Sequence, residues 1–415
     1  MASTAKTASK TNGSDISALD EDGQPVDWWF IYKVPKLDAG TGTDKASGYE
    51  YVYYDSSIDK RKDGMVNKSP YRLDQGTGAM NRTLDAVFKN RSKAAASTGW
   101  ILYNDELPLS EKRKDSGLMG HTKGVIAFDT KSQTAFWLLH SWPKFADIST
   151  GHEPTPQYGQ TYICISLTLD TARKIATQMA THQEPQTYFS RTADLPEKDP
   201  LYALTQPLPS KNVPDASVID LTSRVGMKFK VMAKNREWNQ DFWNGFVGPT
   251  LGEDMDDETW IRGPIPPIAD TDGIHKTFDI KYINLGPLGA HWAWPETHDH
   301  AKWGITVKST WVCVGDINRM ISQRKRGGGT IAFQNETLWR ALSKAGLLLA
   351  PPGHSRTEAH EVIQKTHVHS MIDHEQPHPA SKFVANHKTK FPVPAKKAAV
   401  RKPAIKKAPV KKKPA

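Results

Sequence analysis

The chain has 415 residues, of which 38% are hydrophobic and 24% charged, with 13 Trp, 12 Tyr and 13 Phe. That is enough apolar material for a sizeable core, so a wholly disordered chain is excluded, and the length suits about two or three domains or one large pseudo-symmetric unit. The formal net charge is +10, but residues 395–415 carry nine basic residues and no acid, so the body is near neutral and its charge alone does not mark it as a nucleic-acid binder.

Residues 1–25 are rich in Ser, Thr, Ala, Asp and Gly and are expected to form a flexible arm. Order is expected to begin at the aromatic and β-branched run 26–32, a strand. Residues 48–54 form a second β-type run. The spacing of Met80, Leu84, Val87 and Phe88 predicts a helix over 79–94. Residues 99–104 make another strand, followed by a polar loop over 105–115. Residues 124–129 and 134–140 form a plausible hairpin, 162–167 a further strand and 171–181 a helix. A Pro-rich polar stretch, 186–220, is predicted to link a first half, 26–185, to a second, 221–352. The second half has strand candidates at 227–233, 277–283, 304–307 and 309–315 and a helix at 337–348. Strands interspersed with helices in both halves indicate an α/β or mixed α+β class.

Residues 353–394 hold seven clustered histidines (354–387) and are expected to be poorly ordered. His367, His369 and His374 are their best metal-ligand candidates, but the irregular spacing favours adventitious affinity at most. Residues 395–415 repeat Lys, Pro and Ala, which prevents a packed fold. Cys164 and Cys313 are the only cysteines; two buried thiols are the simple reading, with one isolated bridge as the alternative. The N-terminus has no apolar stretch of signal-peptide length, and no segment approaches the about 20 apolar residues of a membrane helix. The expectation is a soluble, intracellular protein.

Two segments resemble each other. One contains His121-Thr122-Lys123 and a β-type run, then a second run ending at His140. The other contains His300-Ala301-Lys302 and two runs leading to Asp316 and Asn318. His140 lies 19 residues after His121, and Asn318 lies 18 after His300. On an extended strand residues i and i+2 share a face, so each His and Lys would project together. Two imidazoles and two ammonium groups in one pocket suit a phosphodiester. One neutral His can attack phosphorus while a protonated His donates to the leaving oxygen, and the lysines neutralise charge on the non-bridging oxygens. No metal or other cofactor is needed. Taken singly, each motif could be an exposed polar pair on a strand edge. Metal binding by these histidines competes weakly, because the neighbouring lysines repel a cation.

Here the sequence resembles the deoxyribonuclease II family of acid endonucleases. The matching stretches are Gly-Gln-Pro-Val-Asp-Trp (23–28), Tyr-Lys-Val-Pro (32–35), Leu-Tyr-Asn-Asp (102–105), Gly-His-Thr-Lys-Gly-Val (120–125), Phe-Trp-Leu-Leu-His-Ser (136–141) and Tyr-Gly-Gln (158–160). They continue in order through Asp-His-Ala-Lys-Trp (299–303), Trp-Val-Cys-Val-Gly-Asp-Ile-Asn-Arg (311–319) and Arg-Gly-Gly-Gly-Thr (326–330). The resemblance implies a phospholipase-D-like pseudo-dimeric fold with a cleft for duplex DNA. It implies metal-independent hydrolysis at acidic pH that leaves 3′-phosphate and 5′-hydroxyl ends. The implied site is His121, Lys123, His300 and Lys302, supported by His140, Asp316 and Asn318, with one His forming a phospho-enzyme and the other protonating the 5′-oxygen. Which is which stays open at this level.

The chain departs from animal members of that family, which carry a signal peptide and several disulfides: Gly304 and Ala332 stand where those members have Cys. The lysosomal setting is therefore not carried over, and sequons at Asn67, Asn81, Asn90 and Asn335 are expected to be idle. Arg326, Gly327 and Gly328 are candidates for a phosphate-binding loop, with a flexible turn as the plain alternative. Lys396, Lys397, Lys411, Lys412 and Lys413 of the tail are expected to bind DNA without sequence preference. Competing functions are a phosphodiesterase for RNA or phospholipid, and a DNA-binding protein that has lost catalysis.

Overall fold

The β-branched and aromatic runs of each half pair into one large sheet, because alternate residues can be buried on its two faces. The structure, a computed structural model, describes residues 15–40, 42–113, 119–148, 156–208, 213–260, 275–349 and 355–363. The first sheet contains β1 (Trp28–Lys33), β2 (Tyr51–Asp55), β3 (Asn67–Lys68), β4 (Thr98–Asn104), β5 (Lys123–Asp129), β6 (Thr134–His140), β7 (Gln160–Thr168) and β8 (Thr187–Arg191). Their spatial order is β8-β4-β5-β6-β7-β1-β2-β3. The second contains β9 (Ala216–Thr222), β10 (Lys228–Lys234), β11 (Met255–Thr259), β12 (Thr277–Asp279), β13 (Lys302–Thr306), β14 (Trp311–Gly315) and β15 (Gly328–Gln334). Its order is β9-β10-β15-β14-β13-β11-β12, antiparallel throughout except for the parallel pair β11 and β12.

Three helices matter most: α1 (Gly78–Phe88), α2 (Leu169–Gln178) and α3 (Glu336–Ala345). The side chain of Thr168 caps α2 by accepting from Thr171 N, and that of Asn335 caps α3 by accepting from Leu338 N. The class is mixed α/β, as expected.

Strand alternation sorts the core. Trp28, Phe30 and Tyr32 of β1 share one cluster with Ile126 and Phe128 of β5, Trp303 and Ile305 of β13, Ile331 and Phe333 of β15, and the apolar faces of α2 and α3. Trp28 meets Phe333 at 5.6 Å between ring centroids, and Tyr32 meets Trp303 at 6.3 Å. The two sheets therefore face each other across one core. Their other faces carry separate clusters: Trp29, Ile31 and Val125 with α1 on the first sheet, and Met232, Cys313 and Ala332 on the second.

The halves repeat each other. The row β4-β5-β6-β7-β1 in the first sheet matches β11-β13-β14-β15-β10 in the second. The registers agree: Asn104 lies opposite Lys123 as Thr259 lies opposite Lys302, and Gln160 opposite Lys33 as Gly328 opposite Lys234. Both β7 and β15 lead into a helix, α2 and α3.

Three expectations are adjusted and one, for the cysteines, holds. The arm is not flexible throughout: within 15–25, Ala18–Leu19 pairs with Pro25–Val26 and Ile16 is buried. Side-chain hydroxyls of the sheet hold this polar segment, with Thr134 Oγ1 accepting from Ile16 N and Ser166 Oγ from Ala18 N, both at 2.9 Å. The segment 186–220 is not a plain linker, because it contributes edge strands to both sheets, β8 and most of β9. Edge strands tolerate the polar composition that suggested a loop. Within 353–394, residues 356–363 are helical and docked: Arg356 Nε and His360 Nε2 both contact the Asp256 carboxylate, the latter at 2.7 Å. Finally, both cysteines are buried free thiols, one in each sheet. The rest of the His-rich segment and the whole tail lie outside the described residues. Among the described residues no helix is long and apolar enough to cross a membrane.

Candidate active site

Lys123 opens β5 and Lys302 opens β13, so each His-x-Lys straddles the step from loop to strand. His121 and His300 precede the strands rather than sitting in them, which alters the simple i, i+2 expectation. Each His is fixed instead by the other half: His121 N donates to Gly327 O at 2.8 Å, and His300 N to Gly159 O at 2.9 Å. The two glycines occupy equivalent places, immediately before β15 and β7. Neither admits a side chain. A Cβ on Gly159 would stand 2.8 Å from the Asp299 carboxylate, and one on Gly327 would stand 2.7 Å from Gln183 O.

Two buried lysines pin the loops that carry these glycines. Lys33 Nζ donates to the carbonyls of Val34, Gly48 and Pro156, the last at 3.2 Å. Lys234 Nζ, its counterpart in β10, donates to the carbonyls of Gln323, Arg324 and Arg326. Burial pushes both ammonium groups down to about 7, so carbonyl oxygens replace the lost water.

Around His121 the chemistry is ionic. Its Nδ1 is hydrogen-bonded to the carbonyl of Asp316. Asp105, just past β4, binds Lys123 Nζ and lies 3.1 Å from an Arg326 nitrogen and 3.8 Å from His121 Nε2. Burial alone would raise the Asp105 carboxyl, but the charges of Lys123, His121 and Arg326 outweigh it and hold it well below the usual range. Burial, then the Lys123 charge, pushes His121 well below the usual imidazole range. Lys302 is one of the charges acting on His121, and Lys123, Asp299, Asp105 and Asp316 all act on Lys302. The two motifs thus share one electrostatic site. Burial, followed by the Lys123 charge, pushes Lys302 down to about 7, and its Nζ donates to His300 O.

Around His300 the chemistry is aromatic. The Tyr158 ring stacks on it with centroids 3.9 Å apart and planes 8° apart, and Trp260 packs against it at 4.1 Å with its plane tilted by 41°. The adjacent Asp299 carboxyl accepts from Tyr32 Oη at 2.6 Å, Trp294 Nε1 at 2.7 Å and Ala301 N at 2.7 Å, which holds the loop against the first half.

His140 ends β6 on the Lys123 side. Its Nδ1 accepts from Trp142 N at 3.2 Å, so Nε2 carries the proton, and it has no hydrogen-bond partner among the described residues. Burial, then the Lys123 charge, pushes His140 down to about 3, so it stays neutral in acid. Asp316 Oδ1 accepts from Gly329 N at 2.8 Å, and burial raises its carboxyl to about 7. Asn318 is buried three residues beyond β14. The strand end equivalent to His140 is Gly315, so the similar spacing of His140 and Asn318 does not mark equivalent places.

Arg326, Gly327 and Gly328, the phosphate-loop candidates, have partners within the protein itself. Arg326 donates to Asp105 and to the carbonyls of Met119 and Gly120, while Gly327 and Gly328 are buried. This segment holds the His121 loop. Asp105 and Tyr158 lie inside stretches that carried the family resemblance, yet nothing local assigned them a role. Trp260 had no signal at all.

The family profile described as Deoxyribonuclease II matches residues 17–348. The chain belongs to the deoxyribonuclease II family. Its relatives include a Burkholderia pseudomallei protein provisionally named deoxyribonuclease-2, 57% identical over 85% of this chain and 98% of its own length. Bovine (Bos taurus) deoxyribonuclease-2-alpha is 33% identical over 79% of this chain and 87% of its own length. Plancitoxin-1 of Acanthaster planci is 32% identical over 79% and 89%. Membership makes the chain a deoxyribonuclease, a hydrolase with DNA as substrate, and both His-x-Lys elements with their clamping glycines fall inside the matched span.

Proposed function

We propose that the chain cuts double-stranded DNA without a metal ion, with His121 as nucleophile and His300 as general acid. The observation that carries the assignment is the hydrogen bond between His121 Nδ1 and the Asp316 carbonyl. A carbonyl only accepts, so Nδ1 bears the proton and Nε2 presents a lone pair. Burial and the charges of Lys123 and Lys302 favour that neutral form.

In the first step His121 Nε2 bonds to phosphorus and the P–O5′ bond breaks. The His300 imidazolium gives its proton to O5′, and a 5′-hydroxyl strand leaves. In the second step neutral His300 takes a proton from water, the resulting hydroxide oxygen bonds to phosphorus and the P–N bond breaks. A 3′-phosphate is released and both histidines are restored. Lys123 and Lys302 offset the charge on the non-bridging oxygens. His140, Asp316 and Asn318 line or brace this site. Among the described residues no three His, Cys, Asp or Glu side chains are grouped to hold a metal. Activity is favoured in acid because His300 must be protonated, and an unperturbed imidazole titrates near pH 6.5. The tail lysines 396, 397 and 411–413 add sequence-independent affinity.

Plasmid digestion in EDTA at pH 5 and pH 8 tests this reading. Cleavage is expected at pH 5 and much less at pH 8, with acid-quenched enzyme carrying phosphate on His121. Absence of cleavage at both pH values overturns the function. Cleavage only after divalent metal is added overturns the mechanism. His121→Ala and His300→Ala are each expected to abolish turnover while DNA binding persists.

A further inference from the structure

Two places in the repeated scaffold flank each histidine, and the halves fill them with opposite chemistry. One is the residue just past the strand that pairs with the motif lysine: Asp105 after β4, Trp260 after β11. The other precedes the clamping glycine: Arg326 before Gly327, Tyr158 before Gly159. Around His121 these places hold a carboxylate and a guanidinium 3.1 Å apart. Around His300 they hold two aromatic rings at 3.9 and 4.1 Å, with 6.3 Å between the rings themselves.

We propose that Tyr158 and Trp260 are positioning residues that make His300 the proton donor, a role the equivalent His121 is denied by its ionic surroundings. It rests on the reading of His300 as general acid given above. An aromatic face is the negative pole of the ring quadrupole and attracts a cation lying over it. The imidazolium of His300 lies flat on such a face in Tyr158, and Trp260 approaches it from a plane tilted by 41°. The same rings keep water off the imidazole, a cost to its charged form that the attraction of the ring faces must offset. They also fix the ring plane, so the same nitrogen can donate to O5′ and later take a proton from water. Around His121 the Arg326 guanidinium offsets Asp105, so that carboxylate cannot dominate and stabilise an imidazolium there.

Among the described residues, the charges that neighbour this loop are each engaged elsewhere or oppose protonation. Lys302, held at the His300 carbonyl, opposes protonation, with Lys123 behind it. Asp299 is occupied by Tyr32, Trp294 and Ala301, and Glu258 lies behind Asp299. Asp105 is bound by Lys123 and Arg326, and Asp316 by Gly329 N.

The test is kcat/KM on plasmid DNA in EDTA across pH 4–8 for Trp260→Leu, Trp260→Phe, Tyr158→Leu and Tyr158→Phe. Leu keeps apolar bulk and removes the π face; Phe keeps the face. The fall in activity at higher pH reports loss of the proton from the acid. Each Leu variant is expected to move that fall to lower pH by about half to one unit, and each Phe variant to restore most of it. A third arm needs no variant at these positions: the His300 imidazole is titrated by NMR in the intact protein, assigned by its absence in His300→Gln. A value above about 6.5 supports the aromatic clamp. A value below it, or Leu and Phe variants with the same unshifted fall, overturns the clamp. Retained cleavage in His300→Gln overturns instead the underlying reading of His300 as the acid.

Discussion

At the scale of single residues, Asp105 is the most exacting side chain in the site. It balances Lys123 and Arg326 and lies near His121, and its depressed titration keeps it charged where an ordinary carboxylate begins to protonate. A depressed carboxylate contributes stability above its unfolded value near pH 3.9, lost only as pH falls through the lower folded value. The Asp105 contribution is therefore intact at pH 5. Asp105→Asn leaves Lys123 buried without its counter-charge, at a cost of about 3–5 kcal/mol. It is also expected to lower kcat roughly a hundredfold by misplacing Lys123 and His121, with KM for DNA little changed. Steady-state kinetics at pH 5 and a urea melt check both. Asp316 runs the other way: its folded value, about 7, lies above the unfolded one, so stability falls as pH rises from about 4 to 7. Asp316→Asn removes that slope. Its melting temperature is expected to exceed that of the parent at pH 8 by several degrees and to match it at pH 4; an equal difference at both would show that the carboxyl does not titrate in this range.

At the scale of elements, the short helix 356–363 covers strand β11 from outside the matched family span. Arg356 reaches Asp256, Ser343 Oγ at 3.0 Å and Thr306 O at 3.2 Å, and His360 packs against Phe278 with ring centroids 4.5 Å apart. Asp256 is buried, so removing both partners strands a carboxylate. A chain ending at residue 363 is expected to melt like the full protein, whereas one ending at 349 melts several degrees lower. Equal melting of the two would show that this helix adds nothing. The described parts of the segments that sequence composition assigned to an arm, a linker and a low-order stretch are ordered for one shared reason. Polar segments can be held by hydroxyls, edge pairing or ion pairs from distant elements, none of which leaves an apolar period in the segment itself.

At the scale of the molecule, the halves complete one another's sites. Gly327 of the second half clamps His121, Gly159 of the first clamps His300, and both sheets share one core. Neither half contains a whole site. Chains 1–208 and 213–415 expressed apart are expected to be inactive, and to regain EDTA-resistant cleavage when refolded together. Activity in either half alone would contradict a site shared between them.

The repeated His-x-Lys pattern, most strands and the family motifs were legible in the sequence because strand alternation and short motifs are local properties. The two catalytic candidates even showed their pairing through repeated context. What only the tertiary structure decided is how the two differ. Asp316 lies 195 residues from the His121 it orients, Asp105 is 221 from Arg326, and Tyr32 is 267 from Asp299. Equivalent positions filled by Asp and Arg in one half and by Trp and Tyr in the other carry no shared sequence signal. Their equivalence is one of sheet register, and register between distant strands is fixed only when the core closes.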